Sequence, residues 1–62
     1  MDSPTIAEQI AAVERELRMR GRVYPRWVAQ GKLTKAAADL EIKRMEAVRA
    51  SLVKMQDETR PA

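Results

Sequence analysis

Sixty-two residues with 12 Lys or Arg, nine Asp or Glu and a formal charge of +3 allow one small domain at most. A chain of that length buries only about 60% of its unfolded surface, so a second surface is expected to help hold it. The absence of Cys and His removes disulfides and the usual zinc, haem and iron–sulfur ligands, so no metal and no cofactor is expected.

The composition, rich in Ala, Glu, Leu, Arg, Lys and Met with two Gly and three Pro, predicts an all-α protein. Thr5-Ile6-Ala7-Glu8 has the form of a capping box, and Ser3-Pro4 is a competing helix start. Apolar residues then fall at Ile6, Ile10, Val13, Leu17, Tyr24 and Trp27, with Arg20 in the missing seam position. The alternating four- and three-residue steps predict a first helix over about 5–30 with a heptad-like seam. Pro25 cannot donate to the carbonyl of Gly21, and a glycine there tolerates distortion, which predicts a kink rather than a stop. The alternative is a helix ending near Arg22 and a separate short helix from Pro25.

Gly31 suits a left-handed residue after a helix end and Thr34 suits an N-cap, so residues 31–34 are predicted to turn the chain. A second helix follows over about 35–58, with Ala38, Glu41/Ile42, Met45, Val48, Leu52 and Met55 on one face and a frayed tail at 59–62. Such a short turn forces antiparallel neighbours. Reflection about the turn sets residue i against 65 − i, so that Leu17 meets Val48, Arg20 meets Met45, Tyr24 meets Glu41 and Trp27 meets Ala38. Val23, Val28, Leu33, Leu40 and Ile42 lie beside this seam and need a further surface. The simplest provision is a two-fold homodimer, two hairpins making a four-helix bundle.

Charge is unevenly placed. Residues 15–35 hold seven Arg or Lys against Glu16 alone, and the rest of the chain is acidic on balance. Arg15, Arg18, Arg22 and Arg26 are spaced to form one stripe about 16 Å long opposite the seam, and Lys32 and Lys35 extend it over the turn. Three readings compete for this stripe. It is a solvated helix face, supported by an i, i+4 pair from Glu14 to Arg18; it docks an acidic protein; or it follows nucleic-acid phosphates. No aromatic residue interleaves it, which disfavours base stacking. Arg20, Tyr24 and Glu41 are expected to form a polar cluster that fixes helix register, because a guanidinium in a seam needs partners. Tyr24, Pro25, Trp27 and Val28 serve either the core or a partner-binding hot spot.

Catalysis has no visible constellation: Ser3 and Ser51 have no nearby base, no glycine-rich loop cradles phosphate, and Asp39 with Lys43 is an ordinary helix ion pair. No enzymatic role is expected. No segment has the roughly 18 uncharged apolar residues of a membrane span, and the N-terminus lacks a secretion pattern, so a cytoplasmic location is expected.

The pattern Arg20-x-Arg22-Val23-Tyr24-Pro25-x-Trp27-Val28-x-x-Gly31-Lys32-Leu33-Thr34, followed by Ala38, Glu41-Ile42, Met45, Ala47-Val48 and Leu52, resembles a group of small proteins encoded by bacteriophages and prophages of proteobacteria. In architecture the reading is similar to a phage-encoded quorum-sensing anti-activator, a small dimeric helical hairpin that binds host regulatory proteins. The resemblance implies an accessory protein that binds and modulates a host or phage protein, and it implies no active-site residue. A small basic nucleic-acid-binding protein is the alternative.

Overall fold

A computed structural model describes residues 3–59. Two helices, α1 over Ile6–Ala29 and α2 over Lys35–Thr59, pack against each other as a hairpin. The expected tail at 60–62 lies outside the described residues, and Thr59, expected to belong to that tail, is helical.

Capping chemistry accounts for three of the four helix ends. At the start of α1 the Glu8 N–H donates to Thr5 Oγ1 and the Thr5 N–H donates to Glu8 Oε1, both at 3.1 Å, a complete capping box that makes Thr5 rather than Ser3 the cap. The Gln9 side-chain amide adds a bond to the Pro4 carbonyl. At the other end the Lys32 N–H donates to the Trp27 carbonyl and the Gly31 N–H to the Val28 carbonyl, with Gly31 at φ 73°. This is the Schellman arrangement, which requires a left-handed residue and so favours glycine. The Ala37 N–H then donates to Thr34 Oγ1 at 3.1 Å and caps α2.

Helix α1 is continuous through Pro25, so the alternative of a break near Arg22 does not describe the molecule. Gly21 is not required by crowding either: a Cβ there would meet nothing within 4 Å.

Most of the expected seam is turned inward: Ile6, Ile10, Val13, Leu17, Arg20 and Tyr24 on α1 and Glu41, Ile42, Met45 and Leu52 on α2 are half-buried and Ala38 is buried. Among the described residues two ion pairs cross the hairpin: Arg20 to Glu41, expected from neighbouring layers, and Glu14 to Arg49, which was not expected. Tyr24 and Gly21 share a groove with Ala38 and Ile42. The edges of the seam differ from the expectation. Trp27, Val48 and Met55, expected between the helices, are 39%, 44% and 48% exposed. Val28 and Gln56 are half-buried instead, and Arg49 reaches across to Glu14. An apolar stripe that includes neighbours on both sides of its midline fits more than one rotation about the helix axis.

The resulting core is thin. Ala38, at 4% exposure, is the one buried residue among those described, where its small side chain lets the α1 aromatic approach. The molecule is long and flat, 48 × 23 × 16 Å with a radius of gyration of 14.6 Å. A compact chain of this length has about 10.6 Å.

Candidate interaction surfaces

Helical periodicity divides the hairpin into an outer edge and two broad faces. The outer edge of α1 carries Arg15, Arg18, Arg22 and Arg26, all exposed, pointing away from α2. Arg15, Arg18 and Arg22 together line a shallow depression. Among the described residues no carboxylate lies within ion-pair distance of these four or of Lys32. The expected support of Arg18 by Glu14 is not made, because Glu14 turns inward to Arg49, with Oε2 to Nη2 at 2.9 Å and Nε at 3.0 Å. Lys35, expected to extend the stripe, is engaged with Asp39 at 3.0 Å. Asp39 thus pairs backward with Lys35 rather than forward with Lys43. Of the expected basic stripe, the four arginines and Lys32 remain without a carboxylate partner among the described residues.

One broad face holds a groove of about 350 Å³ lined by Gly21, Tyr24, Pro25, Val28, Ala38 and Ile42, with Lys35 and Asp39 at its turn end. Tyr24 also touches Trp27, ring centroids 5.7 Å apart.

The opposite broad face is apolar and open. Trp27 from α1 and Val48 and Met55 from α2 are between 39% and 48% exposed, and the 100° step per residue turns all three toward this side, with Met19 at its rim beside the arginine edge. Leu40, about 200° on from the buried Ala38, lies on the outer edge of α2. Ala12, Val23 and Ala37 fill in among Trp27, Val48 and Met55. A charged band crosses the face at mid-length. From the α1 edge to the α2 edge it runs Glu16, Arg20, Glu41, Arg44, joined by contacts of 3.7 Å, 3.9 Å and 2.6 Å. Arg20 and Glu41 are brought together as expected, though at ion-pair rather than hydrogen-bond distance. Tyr24 is not joined to them by a hydrogen bond among the described residues; its ring serves the groove and Trp27. Glu16 and Arg44 were not anticipated as members, although Glu16–Arg20 at i, i+4 and Glu41–Arg44 at i, i+3 are legible spacings.

The capping box also displaces the protonation of Glu8. The hydrogen bonds from the Thr5 backbone and then its side chain hold the Glu8 carboxyl below its ordinary value of 4.5. Its origin is structural, since the same two bonds close the capping box. Among the described residues no three acidic side chains gather into a group able to hold a metal ion, and no helix is long and apolar enough to cross a membrane.

Comparison with protein-family models, with curated proteins and with solved structures finds no match, so the functional reading rests on these surfaces and on the sequence pattern.

Proposed function

We propose that the chain is a non-catalytic protein-interaction module: a helical hairpin that associates with a second copy to form a four-helix bundle and presents its arginine edge to an acidic protein surface. The observation that carries this reading is the division of labour between the faces. An apolar face with three half-exposed large side chains, Trp27, Val48 and Met55, and Met19 at its rim calls for a cover, while on the α1 edge four guanidiniums stand without carboxylate partners among the described residues. Arginine is suited to such a role, because its planar fork binds carboxylates in bidentate fashion. The sequence resemblance supports a small accessory protein of phage or prophage origin, acting in the cytoplasm by binding and modulating a host or phage protein.

Nucleic acid is the second reading, favoured by the same unpaired arginines. If all four bind phosphates, affinity for duplex DNA falls about 150-fold between 50 and 200 mM salt, from a slope of about −0.9 per contact. The test compares the native chain with a variant carrying Arg15→Gln, Arg18→Gln, Arg22→Gln and Arg26→Gln, whose helicity and oligomeric state are checked first. Capture from lysate of a discrete protein by the native chain and not by this variant, with no DNA affinity at low salt, is the expected result. Equal capture by both, or DNA binding with the steep salt slope, refutes it.

A further inference from the structure

Resting on the self-association just proposed, we infer that the bundle forms through the Trp27–Val48–Met55 face, in a two-fold arrangement that stacks α1 of one copy on α2 of the other and brings both turns to the same end. Three features of the hairpin lead to this geometry.

Surface area comes first. The chain exposes 5029 Å², whereas a compact monomer of 7.0 kDa exposes about 4,000 Å². The excess of about 1,000 Å² matches the roughly 800 Å² that one partner contributes to a standard interface.

The charged band supplies the second. Glu16, Arg20, Glu41 and Arg44 alternate in sign across the face. A two-fold axis along the hairpin reverses this order in the second copy, so that Glu16 lies over Arg44 of the second copy and Arg20 over its Glu41. Every charge then meets its opposite. A band of charge in an apolar face is costly to cover unless its groups are paired, and here self-pairing supplies the partners.

Shape is the third. With the observed pairing across the hairpin, Trp27 falls over Ala37 of the second copy and Val48 over its Ala12. Large side chains meet small ones at the centre, as close helix packing requires. The other face-to-face two-fold, with turns at opposite ends, stacks α1 on α1 and sets Trp27 against Gln9. In the inferred arrangement the two arginine edges lie on diagonally opposite corners of the bundle and stay open to solvent.

The test uses two charge-reversed full-length chains, Glu16→Arg and Arg44→Glu. Each alone places like charges opposite each other twice per dimer, which should weaken dimerisation on the order of tenfold to a hundredfold in sedimentation equilibrium. An equimolar mixture restores both attractive pairs in the heterodimer, and native affinity should return. A spin label at Lys32→Cys on the otherwise native chain gives an independent reading, since the chain has no other cysteine. Turns at the same end give a short inter-label distance, and turns at opposite ends give one approaching the 48 Å length of the hairpin. A native dimer whose affinity ignores both reversals, whose mixture fails to recover, or whose labels sit a hairpin length apart overturns this geometry while leaving self-association standing. A folded native monomer at micromolar concentration overturns the self-association as well. If either reversed chain loses helicity, the label distance on the native sequence decides.

Discussion

The two glycines of the chain offer a paired experiment in which the same substitution has opposite signs. At both positions a Cβ would meet nothing within 4 Å, so steric crowding does not enter and the backbone conformation alone sets the outcome. Gly31 holds φ 73° in the Schellman turn, where an L side chain costs about 1–2 kcal/mol. Part of this is offset by about 0.4–1 kcal/mol, because alanine has less freedom to lose from the unfolded chain. Gly31→Ala should therefore destabilise by about 1 kcal/mol. Gly21 lies inside α1, where glycine is worse than alanine by about 0.8–1.0 kcal/mol, so Gly21→Ala should stabilise by nearly that amount. Unfolding entropy of about 2.1 cal/mol/K per residue over 62 residues makes 1 kcal/mol equivalent to roughly 7–8 °C in Tm. The two variants should thus melt about 15 °C apart, on either side of the native chain. Thermal unfolding followed by far-UV circular dichroism measures this, at one protomer concentration for all three proteins because association raises Tm by mass action. A loss of stability in Gly21→Ala would mean that Pro25 distorts α1 in a way that only glycine accepts. A neutral Gly31→Ala would remove the left-handed turn as the determinant of the hairpin.

Thr34→Ala removes the hydroxyl that accepts the Ala37 N–H and should cost about 1 kcal/mol, read as a lowered urea midpoint with unchanged slope; a shift of the slope instead would mean that the turn itself has rearranged. The Glu8 carboxyl is held below its ordinary value in the folded chain, so the capping box contributes stability above the unfolded value of 4.5 and loses it as pH falls through the lower folded value. NMR titration of Glu8 should show that depressed midpoint, and Thr5→Ala should move it upward; an unchanged midpoint in the variant contradicts the assignment. The Glu14–Arg49 pair crosses the hairpin with side chains 38% and 46% exposed, and solvent screening limits it. A double-mutant cycle with Glu14→Gln and Arg49→Gln should give a coupling below about 1 kcal/mol, and a larger value would mean that association buries the pair.

The local elements of this protein were written in its sequence because each depends on neighbouring residues alone. Thr5 and Glu8 stand three residues apart and close their box without any other part of the chain, as do Thr34 with Ala37 and Gly31 with Val28. Two helices and a short turn then leave an antiparallel hairpin as the outcome. The arginine stripe was equally legible, since four residues at helical spacing share an edge wherever the helix goes. What only the tertiary structure decided is the rotation of each helix about its own axis. Apolar residues at Val23, Trp27 and Val28 on α1, and at Ile42, Met45 and Val48 on α2, fit more than one seam, and packing across the turn chooses between them. That choice took Glu14 from Arg18 to Arg49 and linked Glu16 and Arg44 to the Arg20–Glu41 pair. It also placed Trp27, Val48 and Met55 at the surface. Periodicity states which residues share a side of a helix, and packing across the turn determines which side looks inward.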